Sequence, residues 1–384
     1  MDILFITTVI FTVAYSLLIL WYWWGWVRLK EYTPAKRNIS TKISVIIAAR
    51  NEEANIGNLL NDLNEQSLSK KLFEIIVVDD FSTDKTAQLV KQPGFPNVKL
   101  IQLKDHLNIN DTIISHKKKA IEVAIASATG DLIVTTDADC RHGSNWLFSI
   151  AGFYEEKQPV MIAGPVNFFY DRSLLGKFQT LDFLSLVGIA AASIKNGFYN
   201  LCNGANLAYS KEAFYAVGGY NGIDHITSGD DMMLMHKIGK QYPGKIMYIK
   251  NKDAIVYTHT EKDLAGFWQQ RLRWTSKSTH YEDKRITYML VFIYLFNLLQ
   301  FVNLVTGLFI PFYLRLSLWQ FMVKIVIDTL FIYSVARFFR RENLLWLFLP
   351  VQVVHVVYVL LIAPFSIFGK YNWKGRSAGN KVKA

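Results

Sequence analysis

Long uncharged runs near the two ends of the chain enclose a middle in which short apolar runs alternate with polar stretches. Residues 3–27, 286–314 and 343–369 contain no charged residue, and each run exceeds the roughly 20 residues that a helix needs to cross a hydrocarbon core. A fourth apolar run, 316–336, carries Lys324 and Asp328. Four residues apart on one helix face, these two are expected to pair or to face neighbouring helices rather than lipid. In the middle, residues 43–49 read as a buried strand, followed by an amphipathic helix through Ile56, Leu59, Leu60 and Leu63. Residues 73–78 read as a second strand, and Asp79 to Asp84 as a turn before a helix near Lys85, with Asp80 or Ser82 as candidate caps. A third strand at 100–103, a helix over 117–127 and a strand at 132–136 follow, the last delivering Asp137 and Asp139 to its end. Such alternation predicts an α/β domain, whose ligands bind outside the carboxyl ends of the strands.

The expected organisation is an N-terminal anchor (1–28), a catalytic α/β domain (40–260), amphipathic interface helices (261–285), a C-terminal region of two to three spans (286–370) and a basic tail (371–384). Hydrophobic residues make up 51% and aromatic residues 14%, an excess over soluble domains for which lipid is the natural sink. The first run begins Met-Asp, lacks a basic n-region and ends in Trp24-Gly25-Trp26, so it reads as a retained anchor rather than a signal peptide. Arg28, Lys30, Lys36, Arg37 and Lys42 stand after it against the single Glu31, which by the positive-inside rule makes the following domain cytoplasmic. The tail residues Lys370, Lys374, Arg376, Lys381 and Lys383 conflict with four simple spans. Either the last run, with Pro350 and Pro364, is re-entrant or interfacial, or the charge rule fails here. Two cysteines, Cys140 and Cys202, imply no disulfide framework. The net charge of +11 gathers mainly beside the apolar runs, which points to anionic lipid and phosphate rather than nucleic acid.

Three acidic sites stand in order along the middle: Asp79-Asp80, Asp137-Ala138-Asp139 and Gly229-Asp230-Asp231. Asp137 and Asp139 can hold a divalent cation between them at a strand end, the positive charge that a nucleotide diphosphate leaving group requires. An EF-hand is excluded, because Arg141 occupies the fifth position and Phe148 the twelfth. Asp79 and Asp80 can accept from a base or ribose, or cap the next helix. Asp230 or Asp231 can take a proton from an acceptor hydroxyl, or cap the helix they enter. Residues 261–281 mix Leu264, Phe267, Trp268, Leu272 and Trp274 with Lys262, Arg271, Arg273 and Lys277, which suits the headgroup plane. Within them, the guanidinium forks of Arg271 and Arg273 suit pyrophosphate and the Trp274 indole suits a sugar face. Cys140 reads as a packed thiol, and His259 is a weaker metal-ligand candidate. Phosphate-binding P-loop, dinucleotide, zincin and nucleophile-elbow signatures are absent from the sequence.

These motifs resemble those of membrane-bound family 2 glycosyltransferases, the group that includes cellulose, hyaluronan and poly-N-acetylglucosamine synthases and ceramide glucosyltransferases. The resemblance covers about residues 42–277, and weakly the tail at Trp373-Lys374-Gly375-Arg376. It rests on Val45 to Ala49 with Arg50-Asn51-Glu52-Glu53, on Asp79-Asp80 with Ser82 and Asp84, and on Lys119-Ala120. It rests further on Asp137-Ala138-Asp139, Asn203-Gly204-Ala205-Asn206, Gly229-Asp230-Asp231 and Gln270-Arg271-Leu272-Arg273-Trp274. It implies a GT-A fold, inversion at the anomeric carbon, a UDP-sugar donor and Mg²⁺ or Mn²⁺. By the same resemblance Ala49, Arg50, Glu52, Asp79, Asp80, Lys119, Asp137 and Asp139 belong to the donor side, with Asp79 and Asp80 on the uridine and Asp139 on the metal. Asp231 matches the catalytic base. Asn203, Gly204, Asp230, Gln270, Arg271, Arg273 and Trp274 fall to the diphosphate and acceptor. Gly229-Asp230 replaces the Thr-Glu of many members, and few spans stand beside the domain for a polymer channel.

The sequence therefore leads to a membrane-anchored, inverting hexosyl- or N-acetylhexosaminyltransferase facing the cytoplasm, with a lipid or glycan acceptor. A processive polysaccharide synthase and a non-catalytic membrane protein that binds nucleotide sugar or lipid are the alternatives. A nucleotidyltransferase is disfavoured, because Ala48 to Glu53 is not a glycine-rich basic loop. Asn297, Gln300 and Asn303 form a stripe expected to pair helices, the other reading being a polar path for a polymer.

Overall fold

The structure is a computed structural model that describes residues 2–35, 38–107, 114–277, 281–368, 370–373 and 376–379. Lys36, Arg37, Lys374, Gly375, Lys381 and Lys383, which enter the charge and tail expectations, lie outside the described residues. The chain divides into an α/β unit, Leu29–Tyr170 with Ser193–Thr260, and a helical unit, Met1–Arg28 with Asp171–Ala192 and Glu261–Ala384.

The α/β unit is built on β1 (Ile43–Ala49), β2 (Phe73–Asp79), β3 (Val98–Gln102) and β4 (Leu132–Thr135), joined through α2 (Ile56–Asn64), α3 (Thr86–Val90) and α4 (His116–Ser127). β1 and β2 are buried almost throughout, as near-continuous β-branched runs between two covering layers must be. β8 (Leu207–Ser210), β6 (Met161–Ala163) and β9 (Ile246–Tyr248) complete a seven-stranded sheet in the order β3-β2-β1-β4-β8-β6-β9. β1 pairs in parallel with both β2 and β4, so the strand order reverses there and opens a crevice at the strand ends.

β8 runs antiparallel to β4, with Thr135 opposite Leu207. Residues that precede β8 therefore stand at the same sheet edge as residues that follow β4. One edge thus gathers the loops after β1, β2 and β4 and the turn before β8. The opposite edge receives the chain as it enters β1 to β4, including the exposed turn at Pro93 and Gly94 before β3. A three-stranded sheet of β5 (Arg141–His142), β10 (Val256–Thr258) and β7 (Val166–Phe168) flanks the main one, while α5 (Trp146–Lys157), α7 (Lys211–Ala216) and α8 (Asp230–Gln241) complete the unit.

The helical unit contains α1 (Ile3–Arg28), α6 (Leu174–Lys195), α9 (Leu264–Thr275), α10 (Lys284–Gly307), α11 (Pro311–Phe338) and α12 (Phe348–Phe368), followed by the hairpin β11 (Lys370–Trp373) and β12 (Arg376–Gly379). Among the described residues, four helical segments are long and apolar enough to cross a membrane: α1, α6, α10 and residues 342–366. α6 is the addition to the sequence reading. It comes from the middle of the segment expected to form one catalytic domain, where Lys177 and Asp182 interrupt the uncharged run. The uncharged run 286–314 is not one helix: α10 stops at Gly307 and Pro311 starts α11, with a turn so close that a Cβ at Gly307 would lie 2.5 Å from the Leu314 backbone nitrogen.

Polar side chains join these helices to one another. Asn303 Nδ2 donates to Thr8 Oγ1 at 2.9 Å and to Gln320 Oε1 at 3.2 Å, and Gln300 Nε2 donates to Ser317 Oγ at 2.8 Å. Lys324 pairs with Asp328 at 2.6 Å and with Gln352, while Tyr15 donates to Asp328 at 2.8 Å. Gln300 and Asn303 are thus engaged in helix pairing, and Lys324 faces its neighbours as its spacing required.

Candidate active site

The loops after β1 and β2 are stitched together before any ligand arrives. Asp80 N donates to Ala49 O at 2.8 Å, and Arg50 Nη1 donates to the carbonyls of Asp80 (2.8 Å) and Phe81 (3.2 Å). Asn51 N donates to Ser82 Oγ at 3.0 Å, and Thr83 N returns to Asn51 Oδ1 at 2.8 Å. Glu52 N donates to Thr86 Oγ1 and its carboxylate accepts from Asn55 Nδ2 at 2.8 Å. Both loops hold a non-glycine residue in left-handed backbone, Asn51 at φ 52° and Phe81 at φ 56°, a strain that this lattice of bonds over-determines. The result fixes Asp79 and Asp80, each 3% exposed, at the crevice. Asp79 Oδ1 is buried with no hydrogen-bond partner, and Asp80 Oδ1 lies 2.9 Å from His116 Nδ1. An orphaned buried acceptor at this edge suits the N–H of a base or the hydroxyl of a ribose.

At the end of β4, Asp137 Oδ1 accepts from Lys117 Nζ at 2.8 Å, and the same ammonium lies 3.4 Å from Asp230 Oδ2. Burial alone would lower the Lys117 pKa. The charges of Asp137 and then Asp230 outweigh it and hold the group above the ordinary lysine value. Asp230 and Asp231 open α8 behind Gly229, which sits at φ 78°. Asp231 Oδ2 accepts from Gly204 N at 3.0 Å and Oδ1 from Met232 N at 2.7 Å, so two backbone donors set the orientation of this carboxylate. The turn that supplies Gly204 is itself pinned. Asn203 Oδ1 accepts from Ala205 N at 3.0 Å, and Thr135 Oγ1 donates to Gly204 O at 2.8 Å. Asn206, buried, donates to Pro165 O and Ala254 O at 2.8 Å each and accepts from Trp146 Nε1 at 3.1 Å.

Asp139 carries the metal expectation. Its Oδ2 lies 3.5 Å from Thr258 Oγ1 and its Oδ1 lies 3.9 Å from Cys140 Sγ. Hard oxygen donors of this kind fit Mg²⁺ or Mn²⁺. Among the described residues no three His, Cys, Asp or Glu side chains converge. Burial, then Asp139 and Asp137, push the Cys140 thiol well up, which keeps it protonated and packed as its sequence context suggested.

In the helical unit, α9 lies against α6 and α12. Phe267 meets Phe178 at 5.7 Å and Tyr358 at 5.7 Å between ring centroids, and Gln179 Nε2 donates to Glu261 O at 2.9 Å. Arg271 is 2% exposed, with Nη2 2.7 Å from Asp182 Oδ2 and its guanidinium carbon 4.9 Å from the ring centroid of Phe267 and 4.2 Å from that of Trp274. Gln270 Nε2 donates to Glu261 Oε1 at 3.0 Å, while Arg273 and Trp274 are partly exposed.

Residues 132–363 match the model of the glycosyl transferase family group 2, and residues 44–217 match that of glycosyl transferase family 2. The first of these spans more than half of the chain. The chain belongs to the family 2 glycosyltransferases. Among curated relatives, the poly-β-1,6-N-acetyl-D-glucosamine synthase of Staphylococcus aureus (strain COL) is 27% identical over 235 residues, 60% of this chain and 53% of the relative. The corresponding synthase of Staphylococcus epidermidis is 25% identical over 234 residues, with the same coverage. The matched segment thus spans about half the length of these relatives. Among solved structures, the mannosyltransferase PcManGT from Pyrobaculum calidifontis, in complex with GDP-Man and Mn²⁺, shares the fold. Its TM-score is 0.58 at 18% identity, over 95% of this chain and 99% of that one.

Within this glycosyltransferase, the structure departs from three of the expectations. Lys119 was expected on the donor side, but Lys117 is the lysine that reaches the carboxylates. Two residues apart on a helix, the two side chains leave on nearly opposite faces. Arg271 was expected at the diphosphate, but it is buried in an ion pair, which leaves Arg273 as the accessible guanidinium of the motif. His259 is exposed, with its ring tilted against that of Phe169 at 4.8 Å between centroids. The capping alternative is not realised for Asp80 and Ser82, whereas Asp231 does satisfy a first-turn amide of α8, Met232 N. α3 and α8 start behind Lys85 and Gly229 with no side-chain cap bond, and Asp84 instead accepts from Thr86 N at 3.0 Å. Sequence reasoning missed His116, Lys117 and Lys118 as a group, although the run His116-Lys117-Lys118-Lys119 on a helix pointing at the crevice was a visible signal.

Proposed function

We propose that this glycosyltransferase moves a sugar from a UDP-sugar to a lipid or glycan acceptor at the cytoplasmic face of a membrane, with inversion and with a divalent cation. The observation that carries the reading is the single lysine, Lys117, within 3.4 Å of carboxylates from both the Asp137-Ala138-Asp139 and Gly229-Asp230-Asp231 motifs. A charged group poised between these sites is suited to a donor diphosphate on one side and a reacting acceptor on the other. In this reading Asp79 and Asp80 receive the uridine, and Asp137 and Asp139 hold Mg²⁺ or Mn²⁺, which supplies Lewis-acid stabilisation of the leaving diphosphate. Asp231 takes the proton from the acceptor hydroxyl as its oxygen forms the bond to the anomeric carbon and the bond from that carbon to UDP breaks. The backbone donors Gly204 N and Met232 N hold the carboxylate in one orientation for that transfer. Gln270, Arg273 and Trp274 are assigned to the diphosphate and acceptor on the strength of the family motif.

Membrane attachment is supported by the four long apolar helical segments, and the cytoplasmic side by the basic residues after α1. A second reading, a processive polysaccharide synthase, is favoured by the names of the curated relatives. It is weakened by the helix-pairing duty of Gln300 and Asn303, which takes up the polar stripe a polymer path would use.

The test is release of nucleotide by the purified protein in lipid nanodiscs, offered UDP- and GDP-sugars with Mg²⁺ or Mn²⁺ and lipid extracts as acceptors, beside Asp231→Asn. Sugar-dependent UDP release that is lost in the variant supports the proposal, and mass spectrometry of the products separates one added sugar from a polymer. Intact UDP binding without release from any donor defeats it in favour of a binding protein.

A further inference from the structure

Lys118 is 1% exposed, and its ammonium donates to three backbone carbonyls, Ile223 O and Ile226 O at 2.6 Å each and Ser228 O at 3.3 Å. An ammonium has three donors, and three carbonyls of one loop stand within their reach. We propose that Lys118 is a positioning residue that sets the place of Asp231 by holding the loop of residues 218–229. The proposal rests on the reading of Asp231 as the proton acceptor and adds a residue that touches no substrate.

The loop needs such a hold. It contains no strand or helix, half of its residues are exposed, and Gly218, Gly219, Gly222 and Gly229 all lie at positive φ, so its backbone carries little stiffness of its own. It leads directly into Asp230 and Asp231. Lys237 of α8 grips its beginning, donating to Gly219 O at 2.6 Å and Asn221 O at 2.9 Å. Lys118 grips its end, with Ser228 only three residues from Asp231. A buried ammonium is costly, and a methionine would fill similar volume without a charge to desolvate, so filling space alone does not account for lysine here.

The geometry also couples the hold to the site. Lys117 and Lys118 are neighbours on α4, one reaching the carboxylates of Asp137 and Asp230 and the other the loop that delivers Asp231. One helix thereby references the end of β4 and the start of α8 to a common frame. Asp231 contacts Gly204 N at 3.0 Å, and displacement of about 1 Å at a catalytic carboxylate is enough to lose rate by about a hundredfold.

The experiment compares the wild type with Lys118→Met in nanodiscs by two readouts, amide hydrogen exchange and steady-state nucleotide release. Expected for the variant is exchange at least tenfold faster over residues 219–229, with the amides of β1, β2 and β4 unchanged. Its kcat is expected to fall at least tenfold while donor KM and UDP affinity stay within twofold. Unchanged loop exchange, unchanged kcat, or a donor KM that rises in step with a general loss of protection overturns the proposal. If the Met variant does not fold, Lys118→Arg decides, since the longer forked cation must displace the loop: wild-type kcat in a folded Arg variant overturns the proposal, and a fall in kcat at constant KM supports it. Absence of turnover by the wild type with every donor would sink the glycosyltransferase reading instead, and the exchange readout would still decide whether Lys118 holds the loop.

Discussion

The Lys117 ammonium stands 2.8 Å from the Asp137 carboxylate, so that the aspartate triplet reaches the crevice already paired. Replacing this cation with Lys117→Met leaves Asp137 and Asp230 facing one another without it and removes a donor for the diphosphate. A fall of about a hundredfold in kcat/KM is expected, measured as donor-dependent nucleotide release, with the circular dichroism of the variant unchanged.

Arg271 and Arg273 separate by function. Arg271→Met leaves Asp182 buried without its partner, and a loss of about 3–5 kcal/mol in stability is expected, whereas Arg271→Met with Asp182→Leu should recover most of it. Arg273→Met should leave the melting temperature within a few degrees (about 1 kcal/mol or less) and abolish most turnover. Thermal unfolding of the three variants beside their activities checks the division.

His142 is buried, its Nε2 lies 2.9 Å from Thr136 Oγ1, and burial lowers its pKa to about 3. In the unfolded chain it titrates at the ordinary value of about 6.5. The unfolded state therefore binds the extra proton between these values, and stability falls as pH drops from about 6.5 toward 3. The slope from this group is at most about 1.4 kcal/mol per pH unit. Denaturant melts at pH 7, 6, 5 and 4 should show it, and His142→Gln should flatten the dependence in that window.

Asp79 Oδ1 is buried without a hydrogen-bond partner, a cost of about 1–3 kcal/mol that a bound nucleotide would relieve. Asp79→Leu is expected to leave the protein as stable as before or more so while weakening UDP binding at least tenfold. Calorimetric titration with UDP and a thermal melt of the same sample give both numbers. A loss of stability with unchanged UDP affinity would assign Asp79 to the fold instead.

The first four strands were legible to within a residue or two, and the short later ones, β5 to β10, were not read at all. Residues 43–49 and 73–79 are dense in β-branched residues with turn residues at their ends, and buried parallel strands require nothing more. The acidic motifs were legible for a related reason, since each follows a strand or enters a helix. Spacing could not show which of two nearby cations faces inward. Lys117 and Lys119, and again Arg271 and Arg273, differ by two positions on a helix, and only packing assigns the face. α6 was hidden by Asp182, the very carboxylate that Arg271 neutralises in the folded unit.

The reversed direction of β8 brings the turn before it to the edge where the loops after β1, β2 and β4 also end. The turn at Pro93 and Gly94 is exposed and enters the sheet from the far side. A fluorophore, an affinity handle or a whole reporter domain spliced between those two residues would ride on the back of the scaffold, giving a handle for following the protein in a bilayer without touching its working face.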